Sequence, residues 1–207
     1  MDAAVTAKVN RTKPQERQSG FTLLEALISM VVMTVGLLAV VASLTAALAA
    51  VQNGQNDLIA RQKAVEALES IYTARNSQQP GTSFASINNT VNGGIFLTGP
   101  QPLLCAGQDG MVGTTDDVPC TSAPGVPCPG NGAECMKLPG PDGVLGTADD
   151  TIMSLASFTR TITISQVLLP SGAVNENLVA VTVTVSYSLS DGKARSYTTN
   201  GLISAYS

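Results

Sequence analysis

The sequence predicts an α+β protein in which a long N-terminal helix packs on a small antiparallel sheet of at least three strands. Three observations lead to this fold class. An uncharged apolar run over residues 26–51 continues into an amphipathic pattern that ends at Arg75. Apolar and polar residues alternate near the C-terminus, over residues 158–165 and 179–188. Between helix and strands lies a segment rich in Pro, Gly and Cys, 99–150, which predicts a long loop insertion.

The apolar run predicts a membrane-spanning helix. From Ala26 to Val51 it would be about 39 Å long at about 1.5 Å per residue, which exceeds a hydrocarbon core of about 30 Å. Glu25 stands at the start of this segment. An acidic residue costs about 2.5 to 3.5 kcal/mol at mid-membrane and less near an end, so a cationic partner is expected for this carboxylate.

A basic leader precedes the apolar run and ends at Gly20. Its basic residues are Lys8, Arg11, Lys13 and Arg17. The stretch Gly-Phe-Thr-Leu-Leu-Glu, from Gly20 to Glu25, resembles the class III signal of type IV pilins and type II secretion pseudopilins. The resemblance implies that prepilin peptidase cuts after Gly20 on the cytoplasmic side and methylates the new N-terminus at Phe21. It also implies that the Phe21 amine pairs with Glu25 of a neighbouring subunit.

The resemblance further implies a structural subunit that is held in the inner membrane by one span and then packs with other pilin subunits into an extracellular or periplasmic filament. Within the family, the residues from Gly20 to Ile28 with Val35-Gly36-Leu37-Leu38 look most like PilV-type minor pilins. A type II secretion pseudopilin is the first alternative. The second is a pilus-borne adhesive module that acts through residues 99–150.

Two simpler interpretations of the N-terminus remain. A secretory signal has an apolar core of only about 7 to 15 residues, shorter than this run, although Ala47-Leu48-Ala49 could serve as its cleavage site. A plain signal anchor would explain the length and the basic flank. Neither interpretation gives a reason for Glu25 or for the Gly-Phe pair before it.

The next segment, 52–76, predicts an amphipathic helix that covers the sheet. The polar stretch 52–57 contains Gly54, which costs a helix about 1 kcal/mol relative to Ala, so a bend is expected there. The apolar positions predicted to face the sheet are Leu58, Ile59, Val65, Leu68, Ile71 and Tyr72. The charged positions predicted to face solvent are Arg61, Lys63, Glu66, Glu69 and Arg75.

Residues 77–98 read as a loop that ends in a candidate edge strand, 94–98. The insertion that follows, 99–150, holds eight of the eleven prolines and all four cysteines, Cys105, Cys120, Cys128 and Cys135. Outside the cytoplasm, disulfides are the expected state of these cysteines. Three pairings exist; Cys105 with Cys120 and Cys128 with Cys135 are preferred because both close short loops. A zinc site is the competing use, but the spacings contain no C-x-x-C and the chain has no histidine.

The insertion contains the pattern D-G-x-x-G-T-x-D-D twice, 33 residues apart. Its oxygen-bearing residues are Asp109, Thr114, Asp116 and Asp117 in the first copy, and Asp142, Thr147, Asp149 and Asp150 in the second. Carboxylate, hydroxyl and turn carbonyl oxygens suit Ca²⁺, so calcium binding is predicted. The alternative is a pair of solvated Asp-Gly turns, since the spacing is not that of an EF-hand.

The C-terminal segment, 151–207, predicts three antiparallel strands. The first begins at Phe158, with Arg160 as a polar intruder on its apolar face, and the second covers 179–188. The turn Ser190-Asp191-Gly192-Lys193 predicts a hairpin to a third strand that starts at Ala194.

Composition excludes several functions. With no histidine, Ser-His, Cys-His and His-metal chemistry is absent, and no other nucleophile with a base is recognisable, so no enzymatic role is predicted. Removal of residues 1–20 leaves seven basic and thirteen acidic side chains, a formal charge of −6. An acidic surface disfavours nucleic acid as a partner.

Overall fold

The computed structural model describes residues 22–77, 83–189 and 192–206. They form two compact units, one up to Ala47 and one from Leu48 onward. The predictions that concern Gly20, Phe21 and the turn residues Ser190 and Asp191 lie outside the described residues.

Helix α1 runs from Leu23 to Ser77, 55 residues in all. It continues through the polar stretch 52–57, so the bend expected at Gly54 does not interrupt it. A glycine inside a helix costs only about 1 kcal/mol, which the burial of the following turns outweighs. Two short 3-10 helices, Phe84–Ser86 and Thr90–Asn92, follow.

Eight strands are assigned in the described residues. They are β1 Gln101–Pro102, β2 Thr121–Ala123, β3 Val126–Pro127, β4 Cys135–Leu138, β5 Thr151–Ser154, β6 Phe158–Leu168, β7 Val174–Ser188 and β8 Ala194–Ser204. The main sheet is antiparallel with the order β1-β6-β7-β8, and the two pairs β2-β3 and β4-β5 form separate ribbons. The three strands predicted at the C-terminus are therefore confirmed as β6, β7 and β8.

The predicted edge strand at 94–98 is wrong. Within that stretch Phe96 makes only isolated bridges, to Asn89 and to Thr114. The edge of the sheet is instead lined by β1, which pairs with β6 at Arg160 and Thr159. Phe96 is fully buried, so its apolar signal reflected a core position and not a strand.

The face of α1 that covers the sheet agrees with the predicted one at Ile59 and Ile71 and differs from it elsewhere. Its buried residues are Ile59, Ala60, Ala64, Ala67, Ile71 and Ala74. Leu58 is 67% exposed, whereas Val65, Leu68 and Tyr72 are half-buried at the border of this face. The buried positions from Ala60 to Ala74 recur every three or four residues. Their alanines let the helix backbone approach the sheet closely, which longer side chains would prevent.

The closeness of this packing shows at Gly201 in β8. A Cβ atom there would lie 2.5 Å from the Tyr72 hydroxyl and 2.9 Å from a methyl group of Leu68. The Tyr72 hydroxyl also donates to the carbonyl of Leu202 at 3.1 Å, and Arg75 donates to the carbonyl of Ala205 at 2.6 Å. Arg75, predicted to face solvent, thus ties the end of α1 to the end of β8.

A buried amide protects the opposite edge of the sheet, where β6 extends beyond short β1. Asn89 is only 6% exposed. Its Nδ2 donates to the carbonyl of Ile162 at 2.8 Å, and its Oδ1 accepts from the N–H of Ile164 at 2.8 Å. One side chain therefore satisfies the two backbone groups that a neighbouring strand would otherwise pair, and it removes an exposed edge.

Candidate functional site: the assembly segment and the insertion

The assembly segment, Leu23–Val51 of α1, leaves its apolar side chains uncovered. Every Leu, Ile, Met and Val side chain in it is between 53% and 79% exposed. Its most apolar window has a mean hydropathy of 2.5 and no buried residue, so by length and composition α1 could cross a membrane. Such a surface is unstable in water and needs lipid or other apolar helices around it.

Glu25 lies in the first turn of α1. Its backbone N–H donates to the Thr22 hydroxyl at 3.3 Å and to the Thr22 carbonyl at 3.0 Å, so Thr22 caps the helix start. The pattern Thr-x-x-Glu is a capping-box signature that the sequence analysis missed. The Glu25 carboxylate is exposed and forms no hydrogen bond or ion pair with another described residue, which leaves it free to meet a cation from outside the chain.

The insertion is held by two disulfides, Cys105–Cys120 and Cys128–Cys135, with Cα–Cα distances of 5.2 and 5.6 Å. These are the two pairs that the sequence analysis preferred. The β2–β3 ribbon lies between Cys120 of the first bond and Cys128 of the second, and both cysteines are buried. No cysteine among the described residues is free.

A buried chain of alternating charges joins the insertion to the helix and the sheet, and sequence reasoning missed it. Arg160 on β6 is 2% exposed and Glu134, just before β4, is 7% exposed. The Glu134 carboxylate lies 3.9 Å from Arg160 Nη1 and forms an ion pair with Lys63 of α1. Lys63 also pairs with Glu66 at 2.8 Å. The only signal in the sequence was Arg160 on an otherwise apolar face.

The electrostatics of this chain follow from its burial. Burial lowers the pKa of Lys63, but the hydrogen bonds to Glu134 and Glu66 outweigh it, and the net pKa is raised. Burial lowers the pKa of Arg160, although the negative charges of Glu134, Asp117 and Glu66 act to raise it. Burial raises the pKa of Asp117, opposed by the N–H of Gly113 and the charge of Arg160. The Nε and Nη2 atoms of Arg160 make no hydrogen bond within the described residues.

The two D-G-x-x-G-T-x-D-D copies form loops with the same hydrogen bonds. In the first, Asp109 Oδ1 accepts from the N–H of Met111 at 2.8 Å, Asp117 from Gly113 at 2.7 Å, and Asp116 from the Thr114 hydroxyl at 2.6 Å. The second copy repeats these bonds between equivalent residues: Asp142 with Val144, Asp150 with Gly146 and Asp149 with Thr147, at 2.8, 2.7 and 2.6 Å. The structure thus brings the predicted oxygen-bearing residues of each copy together around their own loop.

The two loops have different surroundings. The first lies in the core, where Met111, Val112 and Thr114 are 0%, 5% and 2% exposed. The second connects β4 to β5 on the surface, with Val144 and Leu145 at 55% and 61%. In the first loop burial raises the pKa of Asp109, while the Thr114 hydroxyl lowers that of Asp116. In the second, the Thr147 hydroxyl lowers the pKa of Asp149.

The calcium prediction gains no support from this geometry. Among the described residues, no group of three or more Asp, Glu, Cys or His side chains is arranged to hold a metal ion. Most of the carboxylates instead accept hydrogen bonds from the backbone or the threonine of their own loop. Closure of the loops by their own hydrogen bonds explains the repeated pattern without a metal, and calcium binding stays a prediction.

Comparison with known proteins adds one finding. Residues 16–41 match the family model described as the prokaryotic N-terminal methylation motif. No curated protein and no solved structure matches the chain significantly. The matched range includes Gly20, Phe21 and Glu25, and such a motif indicates a structural subunit and not an enzyme. The chain therefore carries the N-terminal methylation motif of type IV pilin-like proteins, the group to which pilins and pseudopilins belong.

Proposed function

We propose that this protein is a minor pilin of a type IV pilus. It is held in the inner membrane by α1 and is packed into the filament through the assembly segment after prepilin peptidase has cut between Gly20 and Phe21. One observation carries the proposal: a helix that begins within the matched methylation motif, residues 16–41, and exposes every large apolar side chain over residues 23–51. Lipid before assembly, and the helices of other pilin subunits afterwards, would cover that surface.

Glu25 has the central role in this assembly. Its carboxylate is expected to pair with the methylated amine of Phe21 in a neighbouring subunit, a cation that does not exist before cleavage. The absence of a partner for Glu25 among the described residues supports this role. In an apolar helix bundle an unpaired carboxylate is costly, so the pair would favour the register in which each Glu25 meets an amine.

The substitution Glu25→Ala tests the pairing. The variant should insert in the membrane and be cleaved as usual, yet be strongly depleted from filaments sheared from cells, as measured by quantitative immunoblotting of membrane and filament fractions. Glu69→Ala is the matched control, because Glu69 is an exposed glutamate on the same helix and its side chain forms no hydrogen bond or ion pair with another described residue. Normal incorporation of Glu25→Ala would refute the pairing.

Mass spectrometry of the mature N-terminus tests the processing step. The expected terminus is methylated Phe21. A terminus at Ala50, the product of an ordinary signal peptidase, would remove most of the assembly segment and overturn the proposal.

A type II secretion pseudopilin carries the same N-terminal motif. The two roles differ in their machinery: a pilus role predicts neighbouring genes for a retraction motor, whereas a pseudopilin role predicts genes of a secretin-dependent export system. The PilV-type resemblance of the residues after Gly20 favours the pilus.

A second candidate function is adhesion through the insertion, and the exposed second loop favours it with its two uncovered apolar side chains, Val144 and Leu145. Deleting the whole insertion would not test this, because Leu103, Met111 and Glu134 belong to the buried interior. Since Leu138 pairs with Thr151 across the β4–β5 ribbon, residues 139–150 can be replaced by Asn-Gly, which suits a two-residue hairpin. If this loop is the adhesin, cells with the shortened subunit should keep their filaments and lose adhesion.

A further inference from the structure

We infer that a groove at one end of the main sheet is a binding site for a neutral oligosaccharide. The groove has a volume of about 670 Å³, within the roughly 300 to 1,000 Å³ of small-ligand sites. It lies between the segment of the two 3-10 helices and the ends of β6 and β7 where these strands join. We call it the amide groove, after its polar lining residues Asn88, Asn92, Gln166 and Asn175.

The floor of the amide groove is an extension of the core. Ile87 and Ile164 are 2% and 6% exposed, and Phe84 and Val179 pack against the same cluster while they also line the groove. An apolar floor with one aromatic ring suits the C–H faces of a sugar, which stack on such surfaces while their hydroxyls point to the rim.

Gln166 stands where the fold would place an apolar residue. Phe158, Ile162 and Ile164 occupy the core-facing positions of β6, and Gln166 is the next position on that face. It pairs in register with Val179 of β7. Its side chain is exposed and makes no hydrogen bond with another described residue. An amide that has no hydrogen-bond partner among the described residues, on the core-facing side of a strand, is available to bind a ligand.

A bulge in β7 brings two more polar side chains to the same place. Gln166 pairs with Val179 and Leu168 with Val174, so four residues of β7 stand opposite one residue of β6. Bulges redirect side chains and are frequent beside functional sites. This one carries Asn175 and Glu176, which both line the groove.

Part of the polar rim is held in place before any ligand arrives. Asn88 Oδ1 accepts from the N–H of Asn89 at 2.9 Å and from Asn92 Nδ2 at 3.4 Å. Asn175 Oδ1 accepts from the N–H of Asn177 at 3.0 Å, and its Nδ2 atom has no hydrogen-bond partner among the described residues. The Glu176 carboxylate forms no hydrogen bond or ion pair with another described residue, so its oxygens are available as acceptors. Preorganised groups lose less entropy on binding.

The charges of the lining select the class of ligand. Among the described residues, no Lys or Arg lines the groove, and Glu176 is the single charged residue of the lining. Phosphates, acidic sugars and nucleic acids are therefore disfavoured, because nothing offsets their negative charge. Amide donors together with amide and carboxylate acceptors match hydroxyl groups, which both donate and accept. A peptide would need a free strand edge, but Asn89 already satisfies Ile162 and Ile164 at the edge of β6.

The test uses the full chain, purified in a detergent without a sugar headgroup, on an array of neutral, acidic and basic oligosaccharides. The expected result is binding to one or more neutral oligosaccharides. With the best neutral trisaccharide from the array as the probe in a saturation-transfer NMR titration, Gln166→Ala and Asn175→Ala should each weaken binding about tenfold, the effect of about 1.4 kcal/mol.

Two controls separate binding from folding. Asn200→Ala removes an exposed amide from β8 that is not part of the lining, and should leave the affinity unchanged. Gln166 is exposed, so its replacement is expected to leave the melting temperature unchanged.

Three outcomes would overturn the proposal. The array could show no neutral oligosaccharide bound above background, Gln166→Ala could leave binding intact, or the protein could prefer acidic sugars at the same residues. The proposal does not depend on filament assembly, so Glu25→Ala should not affect sugar binding.

Discussion

The substitution Asn89→Asp would test how the fold protects the free edge of β6. It changes one NH₂ group into an oxygen with almost no change in shape. In the folded protein the Nδ2 atom donates to the carbonyl of Ile162 at 2.8 Å, in a site where Asn89 is 6% exposed. The introduced carboxyl can still accept from the N–H of Ile164, but it can donate to Ile162 only when it is protonated.

The structure sets the size of the effect. If the introduced carboxylate stays ionised, the carbonyl of Ile162 loses its donor, which costs about 1 to 3 kcal/mol, and a buried charge faces a carbonyl oxygen. If it takes up a proton instead, a group with an ordinary pKa of about 3.9 must be held protonated at pH 7. That costs about 4 kcal/mol, at about 1.36 kcal/mol per pH unit. The loss of unfolding free energy at pH 7 should therefore be about 3 to 4 kcal/mol.

The loss should depend on pH in a defined direction. The folded-state pKa of the introduced carboxyl is raised above its unfolded value of about 3.9. The loss of unfolding free energy relative to wild type should vanish below about pH 4 and grow by about 1.4 kcal/mol per pH unit above it. It should level off once the pH exceeds the pKa of this carboxyl in the folded state. Denaturant unfolding of residues 48–207, which contain every residue of the buried core, at several pH values would measure it.

Asn200→Asp is the matched control, because Asn200 is exposed on β8 and its side chain has no partner among the described residues. It should change the unfolding free energy by less than about 0.5 kcal/mol. A deficit for Asn89→Asp that equals this control, or one that does not change between pH 4 and pH 7, would refute the role assigned to Asn89.

Three further predictions concern the same unit. Gly201→Ala should lower the unfolding free energy by about 1 to 2 kcal/mol. The loss should be smaller in a Tyr72→Phe background, because the new Cβ would lie 2.5 Å from the Tyr72 hydroxyl. Additive losses in a double-mutant cycle would contradict this contact. Lys63 has a raised pKa. The stabilisation of the fold by its pairing with Glu134 should therefore be complete below about pH 10.5 and be lost as the pH rises further. Lys63→Met should lack that alkaline loss, and equal pH profiles by denaturant unfolding would count against the ion pair. If the Asp-Gly loops bind calcium, chelation should lower the melting temperature and the protease resistance of residues 48–207, and no change in either would dispose of the calcium hypothesis.

Local sequence patterns predicted most of the fold. The alternating patterns located β6 and β7, since one face of each strand is buried and the other faces solvent, and the Asp-Gly turn located the start of β8. The N-terminal motif and the length of the apolar run indicated a type IV pilin-like subunit, because those features are local in the chain. The cysteine pairs Cys105–Cys120 and Cys128–Cys135 were preferred for a similar reason, as both bonds close short loops.

The buried face of α1 could not be derived from hydrophobicity. Leu58 is more apolar than Ala60, yet Leu58 is exposed and Ala60 is buried. The distance between helix and sheet decides which residue faces inward, and that distance depends on residues such as Gly201, 141 positions further along the chain. A propensity or periodicity argument does not contain this information.

The sequence by itself determined the class of subunit, its strands, its helix and its assembly motif, because each depends on residues that are neighbours in the chain. Tertiary structure alone decided the rest. It placed the Asn89 side chain where it bonds to the backbone at the edge of β6, and it buried Arg160 beside Glu134. It placed one copy of a repeated loop in the core and the other on the surface. These outcomes depend on which distant groups share a buried space, where each polar atom must find a partner.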